Sequence, residues 1–358
     1  MREAGEPVID FSIGDPREPT PAFIPETLRA ALPEVSQYPT VHGLADLRDA
    51  VAGYVVRRFG VAVDPATQIL PSSGSKEVVF TTPLAFIDRG DGDAVGYGTP
   101  GYPIYERGAR FAGAEAIGIR LEGDFVLRAE DIAPDAWKRL RMLWICSPHN
   151  PTGSVTDLDD LGDLVDACRR HDVLLCADEC YTDLYEGEPP PSVLQVAGEG
   201  STGILSLLSL SKRSGMTGYR SGAVVGDPGA IASLRQFRAS VGVAPAEFVQ
   251  SAAAAAWADD DHVAERRRVF AEKRAVLRRA FDALGHATVA SEAGIYIWVL
   301  VGDDVKAAAA LLEGGVVVSP GRAFGPGGEG FLRLALVPTV EECERAVEVL
   351  QACLRSVN

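Results

Sequence analysis

The sequence predicts an α/β fold: a large domain on a mostly parallel seven-stranded sheet, joined to a smaller α+β domain. Three observations predict it. Short apolar runs alternate with amphipathic stretches between residues 68 and 227, the pattern of crossover units. The runs are almost continuously apolar, so both faces of the sheet are covered. After Gly229 the alternation gives way to long helical stretches and then to short strands.

In chain order, strands are expected at 68–73, 93–98, 114–121, 140–148, 173–179, 203–211 and 221–227. Helical patterns at 75–87, 101–112 and 157–172 separate them. Residues 230–242 and 246–284 read as helices, the second interrupted near Asp259–Asp261. Its basic cluster Arg266–Arg268 reads as a solvated face. The stretches "GIYIWVLV", "GVVVSPG" and "FLRLALV" return to short strands, and a helix starts at Thr339. The segment "VIDFSIGDP" is one strand with no partner nearby in sequence, which joins the N-terminus to the tail. The expected domains are 37–264 (large) and 1–36 with 265–358 (small).

The 358 residues are 47% hydrophobic, enough for a large core. A formal charge of −16 argues against nucleic acid and against anionic membranes, because phosphate neutralisation needs a basic surface. No apolar run is long enough to span a bilayer, and "MREAGEPVIDFSIGDP" has no signal-peptide core. Six scattered cysteines fit free thiols in a cytoplasmic protein. Cys176 and Cys180 lack a second pair at zinc-ligand spacing, so no metal is expected.

"GYGTPG" (Gly96 to Gly101) matches the dinucleotide fingerprint G-x-G-x-x-G. A lone match is weak, and Pro100 removes a backbone N–H that a pyrophosphate needs.

The chemistry concentrates in "LSLSKRSGMTGYRSG" (208–222). Lys212 follows an apolar run. A lysine at the end of a buried strand must lose basicity or find a partner. A depressed amine is a nucleophile toward aldehydes. Ser209, Ser211, Ser214 and Arg220 supply donors for an anion. On this stretch alone, a solvated turn lysine and a reactive amine are equally good readings. Other strand ends shift the balance. Gly74, Ser75 and Lys76 open a helix, whose N-terminal amides bind phosphate. Asn150 follows one strand in "CSPHNPTG". Asp178 ends another in "LLCADECYTDLY", with Tyr181 three residues on. A buried acid there needs a cationic partner. No contact can be assigned to "RSGM" (213–216).

The ordered set "Y…G…LR", "GSKE", "TPGYPIY", "SPHNPTG", "DECY", "SLSK…YRSG" and "RLAL" resembles the class I/II aminotransferases, pyridoxal-phosphate enzymes of fold type I. The likeness spans about residues 8–355. It implies pyridoxal 5′-phosphate as cofactor and an amino acid and a 2-oxo acid as ping-pong substrates. By that resemblance Lys212 forms the Schiff base and carries the proton. Asp178 pairs with the pyridinium nitrogen, and Asn150 and Tyr181 bond the ring hydroxyl. Tyr102 stacks on the ring, which displaces the dinucleotide reading of "GYGTPG". Gly74, Ser75, Lys76, Ser209 and Arg220 hold the phosphate. Tyr38 reaches the phosphate of a second subunit, which implies a homodimer. Arg333, Asn150 and Gly14 receive the substrate carboxylate.

Within the family, "LPSSGSKE", "SLSKRSGMTGYRSG", "AGIYIWV" and "GVVVSPGRAFGPGG" are most similar to the N-succinyldiaminopimelate aminotransferases. That likeness implies N-succinyl-LL-2,6-diaminopimelate with 2-oxoglutarate/glutamate, in lysine biosynthesis. Relatives have a longer N-terminal segment that helps close the site, and the chain begins just before "PVIDFSIGDP". Another amino-acid substrate, or a lyase or decarboxylase on the same cofactor residues, fits the same motifs.

Overall fold

The computed structural model describes residues 8–291 and 293–355. Expectations that fall on residues 1–7, 292 and 356–358, the outer ends of the small-domain segments among them, lie outside the described residues.

The chain opens with strand β1 (Ile9–Asp10) and helices α1 (Phe23–Ala30) and α2 (Ala45–Phe59). It then runs β2 (Ile69–Ser72), α3 (Ser75–Phe86), β3 (Ala94–Thr99), α4 (Ile104–Ala112), β4 (Glu115–Arg120), α5 (Pro134–Trp137), β5 (Leu140–Cys146), α6 (Leu158–Arg170), β6 (Leu174–Asp178), β7 (Ile204–Ser209), α7 (Leu210–Arg213) and β8 (Gly222–Gly226). These seven strands, β2 to β8, form one sheet in the order β2-β8-β7-β6-β5-β3-β4. Only β8 runs against its neighbours; the other pairings are parallel.

Strand β5 shows why its sequence is apolar from Met142 to Ile145. Leu140, Leu143 and Ile145 enter the core on one face, with α5 and α6. Met142 and Trp144 enter the core on the other, with α3 and α4. From Met142 to Ile145 successive side chains point to opposite faces and both are covered, which leaves no polar position there; Arg141, outside that run, is exposed and pairs with Asp93.

After the sheet come α8 (Pro228–Val241), α9 (Glu247–Ala258) and α10 (Asp261–Leu284). The break between α9 and α10 falls at Asp259, whose backbone is extended. Caps mark the helix starts: Asp227 accepts from the amides of Gly229 and Ala230, and Thr339 with Glu342 forms a capping box.

The tail continues as β9 (Thr288–Val289), β10 (Tyr296–Leu300), α11 (Asp304–Glu313), β11 (Val316–Val317), β12 (Ser319–Pro320), β13 (Phe331–Ala335) and α12 (Val340–Leu354). Strands β12-β13-β10-β9 make a second sheet. "GVVVSPG" is therefore not one strand: β11 leaves to pair with β1, in parallel, Ile9 opposite Val316. That pairing supplies the partner that "VIDFSIGDP" lacks locally, and Phe11 sits in the core of the C-terminal block. The expected boundary at residue 264 falls inside α10.

One expectation needs correction, and one stretch left without a contact gains one. Arg266 is not on a solvated face but buried, and its Nε donates to the carbonyl oxygen of Lys212 at 3.1 Å; only Arg268 of that cluster lies exposed, paired with Glu265. "RSGM" is also internal. Arg213 is 2% exposed and pairs with Asp183 at 2.8 Å and Asp260 at 2.6 Å. Its guanidinium lies over the rings of Tyr54 and Trp257, and Met216 joins the same core.

Candidate active site

The carboxyl ends of β3, β5, β6 and β7 lie along one edge of the large sheet, where open α/β sheets gather ligands. They open on a cavity of about 650 Å³. Its other walls are residues 12–15 after β1, the N-terminus of α3, Tyr296 from β10 and Arg333 from β13. The site thus draws on parts of the chain more than 300 residues apart, brought together by the β1–β11 pairing and the second sheet.

Lys212 sits on the single turn α7, directly after β7. Ser209 caps that turn, its hydroxyl accepting from the Ser211 amide at 3.2 Å. The Lys212 Nζ donates to the carbonyl oxygen of Gly14. Burial brings its ammonium down to about 8, Cys180 and Asp15 oppose that, and Arg220 and Arg266 add to it. Near neutral pH about one amine in ten is then unprotonated, against one in several thousand for an ordinary lysine. That makes it a nucleophile. Gly14 has no room for a side chain, because a Cβ would stand 2.7 Å from the Tyr296 hydroxyl.

Asp178 is 3% exposed at the end of β6. Burial pushes its carboxyl up, and hydrogen bonds from Cys180 and Tyr105 hold it down. The Tyr105 hydroxyl donates to Oδ2 at 2.9 Å and the Cys180 amide to Oδ1 at 3.3 Å. Tyr102 lines the same wall, its ring edge-on to Tyr105.

Arg333 is held by aromatic rings on two sides, its guanidinium carbon 4.5 Å from the centroids of both Tyr296 and Phe324. It donates to Asn150 Oδ1 at 3.1 Å and to the Ser12 carbonyl. Its Nε is buried with no partner among the described residues. The hydroxyls of Tyr181 and Tyr296 meet at 2.9 Å.

The far end of the cavity is built to take an anion. Ser75 and Lys76 begin the 12-residue helix α3, and Ser209, Ser211, Thr217 and Arg220 face them. Gly74 caps α3 with φ +83°; a Cβ there would stand 2.5 Å from Nη2 of Arg220. The absence of a side chain at 74 is what lets the guanidinium reach the helix terminus. Helix amides and a cation then converge on one point.

Of the residues singled out in the sequence, Gly14, Ser75, Lys76, Tyr102, Asn150, Asp178, Tyr181, Ser209, Lys212, Arg220 and Arg333 line this one cavity, and Gly74 adjoins it. Tyr38 does not; it is fully exposed. Sequence reasoning passed over Tyr105, Tyr296 and Ser12. Two of them had a signal. Tyr105 lies three residues after Tyr102, in the first turn of α4. Tyr296 is the only hydroxyl in "GIYIWVLV". Ser12 acts through its backbone, which no side-chain pattern reveals.

Chemically, this arrangement offers a depressed amine, a buried acid for a cationic ring, an anion clamp at one end and an arginine for a carboxylate. Comparison with known proteins agrees. Residues 6–350 match the family described as aminotransferase class I and II. The LL-diaminopimelate aminotransferase of Nitratidesulfovibrio vulgaris (strain Hildenborough) is 38% identical over 354 residues, 96% of this chain and 90% of that protein. The crystal structure of an aminotransferase from Neisseria meningitidis superposes with a TM-score of 0.91 at 34% identity, covering 97% and 92% of the two chains. A probable N-succinyldiaminopimelate aminotransferase from Thermus thermophilus superposes at 0.92 with 28% identity, covering 98% and 96%.

Proposed function

The chain belongs to the class I and II aminotransferases, pyridoxal-phosphate enzymes of fold type I, and on that premise we propose that it moves an amino group between LL-2,6-diaminopimelate and 2-oxoglutarate. The observation that carries the reading of the site is the meeting of Lys212, Asp178 and Arg333 in one cavity. The likeness to N-succinyldiaminopimelate aminotransferases keeps one structural relative behind it. The curated relative at 38% identity carries the unsuccinylated name, so the reading moves to the free diamino acid. That the matched family is one of transferases favours transfer over a lyase.

The residues present fit the cofactor. The Gly74 cradle and the start of α3 suit a phosphate, Asp178 suits a protonated ring nitrogen, and Tyr102 suits a ring face. When bound, pyridoxal phosphate supplies an aldehyde and an electron-withdrawing ring. With the cofactor bound, the Lys212 amine would stand ready for its aldehyde and would be the group to hold a proton taken from the substrate carbon. Asp178 keeps positive charge on the ring nitrogen by remaining ionised. Ser75, Lys76, Ser209 and Arg220 hold the phosphate and so fix where the ring lies. Asn150 and Tyr181 would bond the ring hydroxyl. Arg333, aided by Asn150 and the Gly14 backbone, would grip the substrate α-carboxylate and so orient the substrate carbon.

The reading extends to a two-domain chain, 37–264 and 1–36 with 265–358, and to a homodimer in which Tyr38 of one subunit approaches the phosphate end of the other. Support for the dimer is the full exposure of Tyr38 on its own chain.

Two measurements test the proposal. The purified protein with pyridoxal phosphate should show a visible absorbance band that Lys212→Ala abolishes; persistence of the band in the variant would refute the role of Lys212. A donor panel with 2-oxoglutarate as acceptor should favour LL-diaminopimelate over its N-succinyl form, and over aromatic and branched amino acids, by about tenfold or more in kcat/KM. A win for the succinylated donor would overturn the choice of substrate and leave the reaction standing.

A further inference from the structure

We propose that Tyr105 is a positioning residue, holding the Asp178 carboxylate ionised and aimed at the cofactor's ring nitrogen. The inference rests on the reading that Asp178 is the ring's partner.

The carboxylate is held from the protein side by three donors: the Tyr105 hydroxyl to Oδ2 at 2.9 Å, the Cys180 amide to Oδ1 at 3.3 Å and the Cys180 thiol. The remaining lone pairs are left for the cavity. Tyr105 has little freedom to move away. It is 2% exposed and its ring is stacked on Trp144, centroids 5.3 Å apart and planes 19° apart. Its other side meets Tyr102 edge-on at 5.6 Å. One side chain therefore touches both the acid expected at the ring's edge and the aromatic expected on its face.

The hydroxyl acts as a donor throughout. Burial, then the charge of Asp178, holds its proton well above the ordinary tyrosine range. The titratable groups that face Asp178 are Tyr102 and Tyr105, Cys146 at the end of β5, and Cys180 and Tyr181 after β6; burial holds all of them protonated. Neutral donors, not a cation, thus oppose the desolvation of Asp178. Without the Tyr105 hydroxyl the carboxyl becomes the better base, and the proton meant for the ring nitrogen stays on Asp178.

The test is Tyr105→Phe, which keeps the ring on Trp144 and removes only the hydroxyl. Titration of the apoprotein with pyridoxal phosphate should show affinity about tenfold to a hundredfold weaker, the effect of one hydrogen bond to a charged group. The pH midpoint of the bound cofactor's visible band should rise, because a ring nitrogen without charge no longer repels a proton at the Lys212 end. A packing role alone would move the apoprotein's thermal midpoint and leave the pH midpoint in place. Asp178→Asn reports on the underlying reading: wild-type affinity and midpoint in that variant would overturn Asp178 as the ring's partner. If Asp178→Asn lowers affinity while Tyr105→Phe stays within about threefold and its midpoint does not move, Tyr105 alone is refuted. In the Asp178→Asn background, Tyr105→Phe should change affinity by less than about threefold, as expected for a residue acting through another.

Discussion

Lys212→Met should make the apoprotein more stable, and the gain should vanish at high pH. In the fold the Lys212 ammonium is brought down to about 8 by burial, against 10.5 for a free lysine. The unfolded chain therefore binds the proton more tightly, and below pH 8 folding works against the full difference. About 2.5 pH units correspond to about 3 kcal/mol. Methionine has similar length and no charge to desolvate, but it gives up the hydrogen bond to the Gly14 carbonyl, about 1 kcal/mol. The net expectation is about 2 kcal/mol of added stability at pH 7. The assay is urea denaturation of both apoproteins at several pH values. Between pH 8 and 10.5 the folded lysine is neutral while the unfolded one is still charged, so wild type recovers and the gap closes. Tyrosines and cysteines held protonated by burial, Tyr105 and Cys176 among them, act in the opposite sense on both proteins. Only the difference between the two at each pH isolates Lys212. A variant no more stable than wild type at pH 7, or a gap that persists above pH 10.5, would refute the claim that the fold holds this amine at a cost.

Three further outcomes follow from the geometry. Gly74→Ala puts a Cβ at a φ of +83° and 2.5 Å from the Arg220 guanidinium, so Arg220 should swing off the helix terminus; apoprotein titrations should weaken about tenfold for pyridoxal phosphate and stay unchanged for phosphate-free pyridoxal. Arg333→Lys removes the planar fork seated between Tyr296 and Phe324, and steady-state kinetics should show kcat/KM for both substrates falling about a hundredfold, with cofactor affinity untouched. Arg213→Met leaves Asp183 with Arg58 and Tyr54 but strips a buried pair, and denaturation should report a loss of about 3 kcal/mol; a loss under about 1 kcal/mol would show that the pair contributes little.

Most of the fold was legible because parallel strands covered on both faces leave an unmistakable apolar signature. All seven strands of the large sheet were expected, although β4 is largely exposed, and so were the starts of α6 and α12, where a capping side chain answers a local need of the backbone; α8 begins two residues before the expected position, capped by Asp227. The site was legible where its residues stand at strand ends, since Asp178 or Lys212 after an apolar run is costly unless it has a use. Legibility failed where a residue's environment comes from a distant segment. Arg213 and Arg266 look like surface charges in their own sequence. Their burial depends on Asp183 and Asp260 in one case, and on the packing of α10 against the Lys212 turn in the other.

The sequence by itself determined the order of the elements, the class of the sheet and the residue types that carry the chemistry, because those follow from periodicity, capping and the energetic cost of buried charge. Only the tertiary structure decided that β1 pairs with β11 to bring Gly14 over Lys212, that Arg333 lies between Tyr296 and Phe324 and reaches Asn150, and that Tyr105 stands behind Asp178. These are contacts between segments up to about 307 residues apart, set by sheet register and helix packing, and nothing local to either partner encodes them.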